Sequence, residues 1–259
     1  MNKFELSNKI IKSDTKDRIK FIIDKCQNKV VFDIGCVRHN AVYALNDKKW
    51  LHGKIKNVAK KVVGIDYIKD DVEILKKRGF DIIYGDITKK LITEEKYDVI
   101  VAGDIIEHLS NFEGFFNNCD KLLNIDGIII VTTPNPFYID EFYYVLIKNE
   151  YLVNPEHTCW IDPQTLNQLC NRFNYKIDEI YFIKNSWTLG NMIMESKKNQ
   201  YDILKGFWNN LTFQFKLKKE IIKFIFNLFF IPFKLFLSFN SKLVNYSDYI
   251  AVLKRINNP

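Results

Sequence analysis

Val30-Val31-Phe32-Asp33-Ile34-Gly35-Cys36 reads as an apolar strand that runs into an acidic residue and then a glycine. Such a strand sets Asp33 at its carboxyl end, where doubly wound sheets bind ligands, and Gly35 lets the backbone turn tightly beneath them. The arrangement suits a nucleotide-like ligand. Outward from this stretch, strand and helix signals alternate, which is the pattern of βαβ units rather than of sandwiches or bundles. Further strands are expected at 61–66, 80–86, 97–103, 127–133, 175–183 and 249–255. Helices are expected at 16–27, 69–78 and 111–123, the last with Phe112, Phe115, Phe116, Cys119 and Leu122 on one stripe.

Acidic residues recur where these strands end. Asp66 closes the second, Asp86 the third, and Asp104 follows Gly103 after the fourth. A carboxylate after the second strand can accept two hydrogen bonds from a ribose diol, and Asp86 is placed to accept from an exocyclic amine. A single aspartate there equally well caps a turn, so it is the set that points to a site. After Gly35 the chain continues Cys36-Val37-Arg38-His39-Asn40 and lacks the later glycines of G-x-G-x-x-G. A pyrophosphate needs those glycines for close approach, so a nucleoside without phosphates fits better.

With these motifs the chain resembles the class I S-adenosylmethionine-dependent methyltransferases over roughly residues 20–185 and the terminal strand. The matching pieces are Val31 to Cys36, Val63-Gly64-Ile65-Asp66, Gly85-Asp86-Ile87, Tyr97 to Leu109, and Leu122 to Gly127 leading into Thr132-Thr133-Pro134-Asn135. The resemblance implies a Rossmann-like α/β fold, doubly wound and mostly parallel, with seven strands, an antiparallel last strand and a helical insertion before it. It implies S-adenosyl-L-methionine as cofactor and S-adenosyl-L-homocysteine as product. Carried over by position, the turn Asp33 to Cys36, with Gly35, backs the methionine part. Asp66, with Tyr67 beside it, holds the ribose; Asp86 and Ile87 meet the adenine; Asp104 lies near the ammonium group. The family pattern Asp-x-Gly-x-Gly-x-Gly has Val37 and His39 at its second and third glycines here. Asp33 and Asp66 are also 33 positions apart, where about 20 is usual. The extra length holds Lys49-Trp50-Leu51-His52-Gly53, read either as a loop closing over the cofactor or as a surface insertion.

Transfer of a methyl group to a hydroxyl requires that the acceptor be aligned and its proton removed, and a histidine near neutral pKa is the natural base. Two of the four histidines stand where an acceptor belongs: His108 after the fourth strand and His157 after the fifth. His157 is the favoured base, and Tyr138, Thr158 and Trp160 are expected to wall the acceptor pocket. No clustered ligand set in the sequence supports a metal.

The 259 residues, 47% of them hydrophobic, suffice for one domain with a full core. The five cysteines are odd in number and widely spaced without C-x-x-C, which argues against a disulfide framework and a structural zinc. Residues 1–14 are polar with no signal-peptide core, so a cytoplasmic protein is expected. The net charge of +7 divides unevenly: residues 197–259 carry 11 Lys and Arg against 3 Asp and Glu, or +8, leaving −1 for the rest. That excess belongs to the C-terminal part, most of which is a basic, aromatic helical insertion at 186–245. Within it, residues 221–239 are interrupted by Lys223, Lys234 and Pro232, which argues against a full membrane span. Residues 207–239 read as a cap, a homodimer surface or a peripheral membrane contact.

The leading functional reading is a small-molecule methyltransferase acting on a hydroxyl or phosphate-type oxygen of a sugar or nucleotide-linked precursor. The resemblance is closest to bacterial enzymes of capsule and other surface-polysaccharide pathways. The alternatives are an RNA or protein methyltransferase and a non-catalytic S-adenosylmethionine-binding subunit. Nucleic acid is disfavoured because the aromatic residues sit in apolar runs rather than interleaved on a basic face.

Overall fold

The structure is a computed structural model that describes residues 3–91, 93, 95–145, 149, 151, 153–183, 242–244 and 246–256. Its contacts divide the chain into one unit of Met1–Lys184 with Tyr246–Pro259 and another of Asn185–Asn245. The insertion expected at 186–245, including the 207–239 segment, falls outside the described residues except for a 3-10 turn at Lys242–Val244.

The first unit runs α1 (Lys3–Lys12), β1 (Thr15–Lys16), α2 (Arg18–Cys26), β2 (Val30–Ile34), α3 (Ala41–Asn46), α4 (Leu51–Lys56), β3 (Lys61–Asp66), α5 (Lys69–Lys77), β4 (Ile82–Tyr84) and β5 (Tyr97–Gly103). It continues through a 3-10 turn at Ile106–His108, α6 (Phe112–Leu122), β6 (Leu123–Pro134), α7 (Ile139–Tyr143), α8 (Pro163–Arg172), β7 (Tyr175–Ile183) and β8 (Asp248–Arg255). The strands form one sheet in the order β1-β7-β8-β6-β5-β2-β3-β4. All neighbours pair in parallel except β8, which lies antiparallel between β6 and β7. The sheet is thus doubly wound and mostly parallel, as expected, but has eight strands rather than seven. The eighth is the two-residue β1, which pairs Thr15 with Phe182 at the edge; so short a strand has no periodicity to read.

Local chemistry sets the helix ends. The Asp17 carboxylate accepts the Lys20 N–H at 2.7 Å and starts α2, and Asn111 Oδ1 accepts from Gly114 at 2.9 Å at the start of α6. Asp162 opens α8 with Pro163 in the first turn. The strands nearest the centre are apolar on both faces, as a parallel sheet covered by helices requires. Successive residues of β5 divide between two cores: Ile100 and Ala102 pack with Phe115, Phe116 and Leu166 under α6 and α8, and Val99 and Val101 with Phe21, Ile22 and Ile55 under α2 and α4. A third, smaller cluster gathers Cys36, Val37, Ala44, Trp50, Val72 and Leu75 beyond the end of β2. No helix among the described residues is long and apolar enough to cross a membrane.

Candidate active site

The strand order β5-β2-β3-β4 sets the segments carrying Asp104, Gly35, Asp66 and Asp86 side by side at one edge of the sheet, the carboxyl ends of the strands. Asp66 closes β3. Its Oδ2 accepts the Val37 N–H at 2.9 Å and its Oδ1 the Ile68 N–H at 3.2 Å. Burial raises its pKa above the usual carboxylate value, against these backbone hydrogen bonds. Each oxygen keeps a further acceptor site. Tyr67 beside it is 73% exposed. At Asp86, Oδ1 accepts from the Thr88 N–H at 2.8 Å and the Thr88 hydroxyl at 2.7 Å, and Ile87 is buried. Asp104 takes a left-handed backbone, φ 56°. Its Oδ1 accepts the Thr132 hydroxyl at 2.7 Å, and its Oδ2 lies 2.8 Å from Arg18 Nη2, while Arg18 Nε donates to Thr132 Oγ1 at 3.0 Å. Arg18 opens α2, and the sequence reading missed it, because only the fold brings residue 18 beside residue 104.

The turn after β2 is held from beneath. Gly35 has φ +71°, and a Cβ there would stand 2.0 Å from Ile105 Cδ1, so glycine is required both for conformation and for space. Asp33, expected at the ligand, is instead 3% exposed and accepts from His52 Nδ1 at 2.9 Å. Cys36, also expected at the ligand, is 3% exposed, and burial raises its thiol pKa well above normal. Its carbonyl accepts the Trp50 indole N–H at 2.7 Å. These two residues therefore brace the turn from the protein interior. The same contacts correct the reading of Lys49-Trp50-Leu51-His52-Gly53 as a closing loop or a surface insertion. The segment forms the start of α4, with Trp50 and His52 buried, and His52 reaches within 3.0 Å of where a Gly64 Cβ would stand. At the missing glycines, Val37 is buried, and Arg38 and His39 keep left-handed φ values of 50° and 61° without glycine. Arg38 forms an ion pair with Asp47.

The two candidate histidines, 49 positions apart in sequence, meet edge to face with ring centroids 4.7 Å apart. A seam of backbone contacts brings their segments together: the Thr158 N–H donates to the Glu107 carbonyl at 2.9 Å, and the Thr158 hydroxyl to the carbonyls of Glu107 and Leu109 at 3.2 and 3.0 Å. Thr158, expected to wall a pocket, thus ties the His157 loop to the 3-10 turn that follows β5. Trp160 is 45% exposed and Tyr138 half-buried. Desolvation and the neighbouring His108 hold the His157 pKa below the ordinary imidazole value. Glu107, which the sequence reading passed over, is 2% exposed, and neither carboxylate oxygen has a hydrogen-bond partner among the described residues. The Thr133 hydroxyl lies near enough to favour its charged form but makes no hydrogen bond of acceptable geometry, and burial pushes the Glu107 pKa up to about 8. One donor atom each of Glu107, His108 and His157 lie within 4.8 Å of one another, so the fold gathers a group that could hold a metal ion and that linear spacing concealed.

A family model described as a methyltransferase domain matches residues 8–180. The chain belongs to that methyltransferase family. Similar curated proteins include a probable S-adenosylmethionine-dependent methyltransferase of Mycolicibacterium smegmatis, 26% identical over 127 residues that cover 48% of this chain and 47% of that protein. A ubiquinone biosynthesis O-methyltransferase of Rickettsia prowazekii is 27% identical over 161 residues, covering 53% of this chain and 64% of that one. The matched region thus spans about half to under two thirds of these relatives' length. Among solved structures, a S-adenosylmethionine-dependent methyltransferase from Archaeoglobus fulgidus superposes with a TM-score of 0.55 at 18% identity, covering 92% of this chain and 91% of that one. An O-methyltransferase of a Brevibacillus brevis polyketide synthase, in complex with S-adenosyl-L-homocysteine, superposes with a TM-score of 0.50 at 17% identity, covering 92% and 71%. At these identities the structures establish the fold.

The relative from Mycolicibacterium smegmatis is named as S-adenosylmethionine-dependent, and the groups at the strand ends of this methyltransferase suit that molecule. An amino-acid end carries both charges, and Arg18 and Asp104 present one of each sign, with side chains 25% and 44% exposed. Asp66 offers spare acceptor sites of the kind a diol uses.

Proposed function

We propose that this methyltransferase transfers a methyl group to an oxygen of a small-molecule acceptor, with His108 and His157 beside that oxygen. The observation that carries the reading is the meeting of the two imidazoles next to Asp104, whose charge acts on His157. When bound, S-adenosylmethionine supplies a methyl group on a positively charged sulfur. Arg18 and Asp104 grip its carboxylate and ammonium, Asp66 its ribose, and Asp86 with Ile87 its adenine; Gly35 allows the backbone turn beneath it. Asp33 and Cys36 act on this site through the turn they brace. His157 handles the acceptor proton, and its depressed pKa keeps it neutral and able to accept at physiological pH. Tyr138 and Trp160 flank the acceptor.

Direction toward oxygen is supported by relatives from Rickettsia prowazekii, Pelagibacter ubique and Glaesserella parasuis that are named ubiquinone biosynthesis O-methyltransferases. A sugar or nucleotide-linked precursor of surface polysaccharide as acceptor rests on the sequence resemblance. A contact with lipid or with a second copy through 207–239 rests on the sequence of that segment.

The test is methyl transfer from labelled S-adenosylmethionine to a panel of phenols, sugar nucleotides and RNA, with wild type and His157→Ala. Transfer to a small hydroxyl compound is expected, reduced in the variant at least 10²-fold, in line with general-base contributions, with little change in S-adenosylhomocysteine affinity. Transfer only to RNA, or unchanged turnover in the variant, overturns the reading.

A further inference from the structure

We propose that Glu107, His108 and His157 form a binding site for a divalent first-row transition-metal ion at the acceptor end of the active site. Glu107 provides the strongest argument. A carboxylate that is 2% exposed with both oxygens unpaired is costly unless a cation or proton accompanies it. Among the described residues no side chain satisfies it by a hydrogen bond, and instead each imidazole brings one nitrogen within 4.8 Å of one of its oxygens.

The tautomer of His108 agrees. Its Nδ1 lies 3.1 Å from the Glu156 carbonyl, which can only accept, so Nδ1 carries the proton and Nε2 presents a lone pair. Metal-bound histidines commonly donate their other ring N–H to a carbonyl in this way, which fixes the ring for its ligand role. The Thr158 contacts to the Glu107 and Leu109 carbonyls hold the His157 loop against the 3-10 turn that follows β5, so both halves of the site are joined by the protein itself. Ligand distances of about 2.0–2.2 Å separate donors by roughly 3–4 Å, so closure from the present spacing needs movement of about an ångström. The negative charge of Asp104, which acts on both Glu107 and His157, further favours a cation.

Two imidazoles and one carboxylate suit zinc, iron, manganese or cobalt better than the all-oxygen shells of magnesium or calcium. Three protein donors leave coordination positions open, and His108 and His157 are only half-buried. With the ion bound, His157 acts as a ligand in place of the base role it has in the metal-free site: an acceptor hydroxyl at an open position is acidified by the ion, and its proton passes to water. This last role rests on the placement of the acceptor beside the histidines; binding of the ion does not.

The experiment uses the full chain, stripped with chelator and titrated calorimetrically with Zn²⁺ and separately with Mn²⁺, with neither methyl donor nor acceptor present. One ion per chain is expected in wild type, with affinity at least tenfold weaker in Glu107→Gln and in His157→Ala. S-adenosylhomocysteine binding in both variants shows that they are folded. Visible absorption of the Co²⁺-loaded protein should carry the bands of a nitrogen and oxygen donor set. Absence of binding in wild type, wild-type affinity in both folded variants, or a thiolate charge-transfer band that assigns the ion to a cysteine overturns the proposal. Each of those outcomes leaves methyl transfer to be judged on its own assay, and a failed acceptor panel leaves the ion titration intact.

Discussion

Arg18 extends a guanidinium to Asp104 and Thr132 across the end of β5, and its chemistry matches the carboxylate of a bound amino acid. Arg18→Ala should weaken S-adenosylhomocysteine binding about tenfold or more by calorimetry, since hydrogen bonds to charged groups contribute about 1.5–3 kcal/mol. Unaltered affinity would confine Arg18 to a structural role. Asp66 and Asp33 make the complementary point. Both are buried carboxylates near strand ends, yet Asp66 receives the backbone of the neighbouring turn and Asp33 receives His52 from an inserted helix. Sequence marked all four aspartates alike. For Asp33, Asp66 and Asp104 the deciding partners His52, Val37 and Arg18 stand 19, 29 and 86 positions away, and no local pattern encodes those.

Between β2 and β3 the chain replaces glycines with support. Trp50 and His52 of the α4 segment hold the Cys36 carbonyl and the Asp33 carboxylate, and Asp71 Oδ1 accepts the Ala41 N–H at 2.8 Å where α3 begins. Left-handed backbone costs a non-glycine residue about 1–2 kcal/mol, and Arg38 and His39 both adopt it. His39 is exposed, with an edge-on contact to Tyr43 at 5.5 Å. After allowance for the extra unfolded-state freedom of glycine, His39→Gly should therefore stabilise the protein by about 0.5–1 kcal/mol. Thermal melts would register this as a rise of roughly 1–4 °C; a lower melting temperature would mean that the ring contact outweighs the strain. The extra length relative to a compact nucleotide-binding unit was legible as an insertion. Its burial was not, because His52 and Trp50 sit in a short segment with no periodic apolar face.

For the molecule as a whole, binding of S-adenosylhomocysteine to the folded chain alone should stabilise it by about 2.7 kcal/mol at a hundred times its dissociation constant. That amounts to several degrees, at about 2–4 °C per kcal/mol. A melting temperature independent of S-adenosylhomocysteine would remove the cofactor site assigned to the strand ends. The sequence by itself determined the alternation of strands and helices, the doubly wound class and the row of acidic strand ends. Each of these follows from local periodicity, since a parallel strand buried on both faces needs a continuous apolar run such as Val99 to Ala102, and a crossover helix needs a stripe such as Phe115 to Leu122. Tertiary structure alone decided that β8 enters between β6 and β7, that Arg18 stands against Asp104, and that Glu107 and His108 meet His157. The reason is common to all three: the contacts join segments far apart in the chain, and their positions are fixed by sheet order and by backbone hydrogen bonds such as that from Thr158 to Glu107 in the turn after β5, which leave no periodic trace in the sequence.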